Sequence, residues 1–290
     1  MVTKNSNLSL YLRIISYSVL AFTLAFLINN VLTVWSDWPG IKKIFSHHEM
    51  FGYKKKALEG SDLNYGYMQI GLYLICIAAV VFYVFKTYSQ TLEQDSKILS
   101  RFSAYLVRSS FWAVFLVGVA DFVISFMVVE RLWEAIFSPE VKALMVKAPV
   151  RITYIHFPII LISFVIGYFT KSVGFIWLAV LVVVSEFVIV LSRFIFSYEQ
   201  AFQGDLVRFW YAALYLFASA YALIHEGHVR VDVLYSSFSE KKKAWTNMVG
   251  SAVLGVPLTL IVIFLGLNGK ASIINGPVVA FEVTQQGSNG

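Results

Sequence analysis

Between Leu10 and Leu267 the chain returns repeatedly to apolar runs of ~20 residues, separated by short polar segments. A helix of that length crosses the hydrocarbon core of a bilayer. Inside lipid every backbone N–H and C=O must find its partner within the protein, which leaves helices and closed barrels. The runs are continuous rather than alternating, so they predict helices. Composition agrees: 58% hydrophobic and 14% charged residues leave too little charge to coat a soluble domain of 290 residues. The expected fold is all-α, a polytopic helical membrane protein with about seven transmembrane helices.

The expected spans are Leu10 to Val34, Tyr65 to Tyr88, Ser109 to Val129, Ile152 to Phe169, Val173 to Phe196, Leu206 to Ile224, and a helix from Glu240 to near Leu267. Trp35 and Trp38 suit the headgroup level, and Pro39-Gly40 stops the first helix. The segment Ile41 to Asn64 reads as a basic loop with room for a short surface helix. Ser89 to Arg108 carries both signs of charge and can extend a helix into water, and Glu130 to Arg151 is expected to be partly helical. Only Thr170, Lys171 and Ser172 separate two spans, which predicts an antiparallel hairpin between them. Asp205 is placed as an N-cap, as is Ser239 ahead of Glu240. Gly255 and Pro257 predict a bend in the last helix.

A net charge of +6 does not point to nucleic acid, because the basic residues sit in short clusters between apolar runs, as juxtamembrane Lys and Arg do. The single cysteine, Cys76, excludes an intrachain disulfide. Lys4 and Arg13 precede a first apolar stretch too long for a signal peptide, so it reads as a retained helix. Lys and Arg divide almost evenly between the two sides of the membrane. Discounting the long segments Ile41 to Asn64 and Glu130 to Arg151 favours a cytoplasmic N-terminus.

Two acids, Asp121 and Glu186, fall near the middle of expected spans. At that depth a carboxylate must be protonated, paired or turned to water. They could form an ion or proton path, contact a partner subunit, or make neutral hydrogen bonds between helices, with Ser125 and Ser185 nearby. His225 and His228 have i, i+3 spacing around Glu226, but Gly227 opposes a regular helix, and a charged turn at the membrane surface is the simpler reading. His47-His48 is similarly weak as a ligand pair, and His156 has no second intramembrane histidine with which to hold haem. Arg193, Glu199, Asp205 and Arg208 lie among Phe194, Phe202, Trp210 and other aromatics, as flanking charge or as a docking surface. No phosphate-binding loop, dinucleotide fingerprint, zinc-peptidase pair or nucleophile elbow occurs, which argues against an enzyme. No metal and no cofactor is expected.

The run Tyr221-Ala-Leu-Ile-His-Glu-Gly-His-Val-Arg-Val-Asp-Val-Leu-Tyr235 resembles the small membrane subunit of tripartite ATP-independent periplasmic (TRAP) transporters, most specifically at Gly227 to Asp232. Ser239 with the following basic residues and Trp245 resembles the start of that family's third helix. Phe196 to Gln200, with Glu199, occupies the place of an acidic signature after its first helix. The tail from Phe281 to Gly290 looks like the segment before its fourth. The resemblance covers about Gly174 to Gly290 and implies two parts: residues 1–171, a membrane extension of four helices, and residues 172–290, a small-permease-subunit core with three helices of an expected four.

The resemblance further implies a non-catalytic subunit in the bacterial inner membrane, part of a sodium-coupled importer of a small organic solute such as a carboxylate. Its expected partners are a large membrane permease subunit, a periplasmic solute-binding protein and membrane lipid, with no nucleic acid. Glu199, Asp205, Arg208, His228, Arg230, Asp232 and Trp245 become candidates for partner contact or structural support. The turn at Gly227 to Asp232 becomes cytoplasmic, and the Glu199 to Arg208 segment periplasmic. The alternative is a self-sufficient transporter or channel with a path lined by Asp121 and Glu186.

Overall fold

The computed structural model describes residues 7–145, 148–171, 175–197, 201–224, 233–269 and 272–275. In chain order its α-helices are α1 (Asn7–Trp35), α2 (Ile41–His47), α3 (Ser61–Lys86), α4 (Leu92–Val129), α5 (Trp133–Ile136), α6 (Pro139–Met145), α7 (Ala148–Arg151), α8 (Phe157–Phe169), α9 (Phe175–Phe196), α10 (Ala201–Ile224), α11 (Val233–Ser236), α12 (Glu240–Gly250) and α13 (Val256–Gly266). No strand occurs among the described residues. Six helical stretches are long and apolar enough to cross a membrane, and a shorter apolar stretch, Leu206–Ala220, lies within α10. The protein is therefore a polytopic helical membrane protein.

The segment Ser89 to Arg108 extends a helix, as its charges allowed: from Leu92 it joins the following span in one 38-residue helix, α4. Its mixed charges are compatible with a helix, and no Gly or Pro intervenes to end it. Helix α10 starts at Ala201, so Asp205 lies inside it rather than at its cap. Helix α9 packs along α10, and α8 bonds to α4, as described below.

Both intramembrane prolines are preceded by a wide turn. A π-helical turn at Ile152–His156 leads into α8, where Pro158 follows, and another at Ser251–Gly255 joins α12 to α13, where Pro257 follows. Proline has no N–H to donate and its ring crowds the carbonyl four residues back, which the wider turn accommodates. A π-helical turn thus lies where Gly255 and Pro257 were expected to bend the helix.

The chain forms two packing units. The first draws on Met1–Lys97 and Val233–Val279, the second on Ile98–Asp232 and Ala280–Gly290. In the first, α1 and α3 pack along each other. Arg13 near the start of α1 reaches Thr87 just after α3, and Thr33 near the end of α1 reaches Gln69 early in α3, so the helices run antiparallel. Gln69 is fully buried and also accepts from the Gly40 N–H at 2.9 Å, which ties down the Pro39-Gly40 stop. Trp38 stacks on Tyr65 with ring centroids 4.6 Å apart. Arg13, 1% exposed, holds Asp95 at 2.5 Å from Nε and 3.4 Å from Nη2, and both Nη atoms donate to Thr87. Every donor set of this guanidinium is thereby used within the protein, as a charge at this depth requires.

In the second unit the core is Phe111, Leu178, Trp210 and Ala213, contributed by α4, α9 and α10. Small residues allow the close approaches, as is common where membrane helices pack. A Cβ on Gly118 would collide with the buried indole of Trp210, and one on Gly167 would lie 2.9 Å from the backbone of Ser109. Along the α4–α8 contact, Tyr105 donates to the Phe164 carbonyl at 3.1 Å and Arg108 to the Gly167 carbonyl at 3.2 Å. Trp112 Nε1 donates to Thr170 Oγ1 at 3.3 Å. The Arg108 bond satisfies a carbonyl in the last turn of α8.

Candidate functional site

Asp121 projects from α4 eight residues before the helix ends, ~12 Å along its axis from that end. Its Oδ1 lies 2.9 Å from His156 Nε2 and 3.5 Å from Arg151 Nη1. Arg151 closes α7 and His156 closes the π turn that follows. Arg151 also donates to the Met145 carbonyl at 2.6 Å and approaches Ser125 Oγ at 3.4 Å. The three side chains are 10% to 18% exposed. A carboxylate in this setting is charge-compensated by the guanidinium and hydrogen-bonded by the imidazole. Asp121, Arg151 and His156 therefore form a partly buried polar cluster held by two helices and a π turn, a feature often found where function or strain interrupts a helix.

Glu186 is placed differently. It sits at the centre of the apolar span Ile176–Ile195, and its side chain is exposed. Its neighbour Ser185 is buried on the adjoining face of α9 with Leu178 and Ile189, so Glu186 lies where the buried face meets the exposed one. No hydrogen bond or ion pair joins Glu186 to a described residue. Around it lie Val183, Phe187 and Val190, 67%, 60% and 53% exposed. Asp121 and Glu186 thus share no bond and no common partner.

Of the other residues singled out from sequence, Glu199, His225, His228, Arg230 and Asp232 lie outside the described residues, as does the tail from Phe281. Asp205 is within α10, and its side chain is likewise not described. Arg208 is exposed on α10, and Trp245 is 58% exposed on α12. Ser239 has the extended backbone of an N-cap, but its side chain makes no capping bond. His47 and His48 are used locally: His47 Nδ1 accepts from the Leu58 N–H at 3.0 Å, and His48 Nε2 meets the Tyr67 hydroxyl at 2.8 Å. Among the described residues no three His, Cys, Asp or Glu side chains gather to hold a metal ion.

Sequence reasoning missed two pairings, Arg13 with Asp95 and Asp121 with His156 and Arg151. A signal was present for the first, since Arg13 falls inside an apolar run rather than before it. For the second, Arg151 and His156 flank the start of a span and read as ordinary boundary residues. A groove of about 440 Å³ opens between α4 and α10, lined by Leu106, Val114, Phe209, Ala213, Leu216 and Phe217. Its walls are almost wholly apolar and lack the converging polar groups that orient a polar solute.

No curated protein and no solved structure matches this chain. Residues 180–281, less than half of the chain, match the family model described as tripartite ATP-independent periplasmic transporters, DctQ component. The match begins within α9, takes in α10 and runs past the end of α13, so this part of the chain is similar to a small membrane component of such transporters.

Proposed function

We propose that the protein is a non-catalytic small permease subunit of a sodium-coupled TRAP transporter that imports a small organic solute, a carboxylate. The observation that carries this reading is the family match over residues 180–281, set on three membrane helices with the polar run Gly227 to Asp232 between the second and third. The subunit sits in the bacterial inner membrane with its N-terminus cytoplasmic. It supports a large membrane permease subunit, which holds the substrate and sodium sites, and helps receive a periplasmic solute-binding protein.

In this reading residues 172–290 are the subunit core, and residues 1–171 are an extension that enlarges the scaffold. Arg230, Asp232 and His228 fix the turn at the membrane surface together with Trp245. Glu199, Asp205 and Arg208 meet the large subunit or the docked binding protein. Supporting chemistry includes the aromatic residues around Arg208, which suit both the membrane interface and protein contact. The test is co-purification of the full-length gene product expressed with its neighbouring genes, followed by mass spectrometry. A stoichiometric large membrane permease is the expected result. Recovery of this chain alone, or only as a homo-oligomer, under gentle detergent overturns the reading.

A further inference from the structure

We propose that the exposed face of α9 bordered by Glu186 seats a transmembrane helix of a second, different polypeptide, which presents a cationic side chain to this carboxylate at mid-bilayer depth. The inference rests on the subunit reading, since it names where such a partner would bind.

Glu186 is at the middle of its span, exposed, and unbonded among the described residues. Val180, Val183, Val184, Phe187, Val190 and Leu191 are 39% to 67% exposed and form a continuous apolar stripe along the helix, with Glu186 at its margin and Arg193 two turns further on the same side as the acid. An acid at mid-span beside such a stripe is unfavourable against acyl chains whether it is ionised or carries an unsatisfied hydroxyl. A cation delivered by another helix resolves both problems and fixes the register of the contact.

A second copy of this chain is a poor occupant. A two-fold interface on this face opposes the same stripe to itself and brings carboxylate towards carboxylate. Most of the arginines described in the helices of a second copy are, moreover, already engaged. Arg13 is engaged with Asp95, Arg108 with the Gly167 carbonyl, and Arg151 with Asp121. Arg193 and Arg208 also have interactions of their own. Charge complementarity therefore favours a partner of different sequence.

The test places a photo-crosslinking residue at Val183 or Val190 in the full-length gene product, co-expressed with its neighbouring genes and irradiated in native membranes. The expected adduct joins this chain to one other membrane polypeptide. Glu186→Lys is expected to lower its yield about tenfold, and Glu186→Gln by about threefold or less, because the amide keeps a polar contact. Exchange of the mapped partner cation for Glu is expected to restore the adduct with Glu186→Lys, which separates a lost contact from a variant that fails to insert. Adducts with lipid alone or with a second copy overturn the inference, even where a large permease co-purifies and the subunit reading stands. Yields indifferent to Glu186→Lys overturn it also. An adduct with a membrane polypeptide unrelated to transport keeps this docking face and removes the transporter reading.

Discussion

Asp121 and Glu186 are both carboxylates near the centre of apolar helices, in the same packing unit, yet they have opposite surroundings. Asp121 is largely enclosed, with Arg151 and His156 brought to it by a segment 30 or more residues further along the chain. Glu186 is exposed at the margin of an apolar stripe on α9, with no bond to a described residue. The first acid is accommodated by the fold of its own chain. The second has a cost that this fold leaves uncompensated. A mid-span acid thus belongs to internal architecture in one case and to an interface in the other, and helix adjacency separates the two.

The largest effect is expected from breaking the internal cluster. Asp121→Ala leaves the Arg151 guanidinium partly buried opposite an apolar methyl group, and is expected to destabilise the isolated chain by ~3 kcal/mol. The midpoint of thermal unfolding in mild detergent measures this. An unchanged midpoint would show that Arg151 and His156 are satisfied without the carboxylate.

Gly118→Ala tests packing in the same unit without touching a charge. The new methyl group collides with the buried indole of Trp210, which has no room to turn in a core also containing Phe111 and Leu178. A loss of ~2 kcal/mol is expected from overpacking, read from the same midpoint and from a change in tryptophan fluorescence. A wild-type midpoint with unaltered fluorescence would argue against this close helix approach.

The smallest effect on the isolated chain is expected at Glu186. Glu186→Leu removes a charge from the margin of an exposed apolar stripe and should shift stability by no more than ~0.5 kcal/mol, with stabilisation as the favoured sign. A large destabilisation would mean that Glu186 has a partner inside its own chain, and the contrast with Asp121 would disappear. Because the two acids share no partner, Asp121→Ala and Glu186→Leu should combine additively.

Much of this architecture can be read along the chain. Hydropathy marks the spans because the length of an apolar run needed to cross lipid depends on helix rise and bilayer thickness, both independent of tertiary context. Pro39-Gly40 and Pro257 could be identified as a stop and a distortion from the chemistry of proline and glycine alone. Charge was less informative at boundaries: the mixed signs of Ser89 to Arg108 allowed a helical extension without fixing where it begins, which is Leu92. Asp205 looked like a cap for the same reason, although the helix had already begun four residues earlier at Ala201.

Membrane-spanning helices and the class of the protein follow from local composition, because desolvating the backbone and burying apolar side chains are costs and gains assessed residue by residue. Partner choice among polar groups does not. Arg13 finds Asp95 because α1 lies against α3 with the start of α4 nearby, and His156 finds Asp121 where a π turn leads into α8. Glu186 finds no partner among the described residues because α9 turns Ser185 and Leu178 inward and leaves the acid at the edge of its exposed face. Short-range electrostatics and hydrogen bonds act over a few ångströms, so they depend on which helices become neighbours, a property that apolar periodicity alone does not specify.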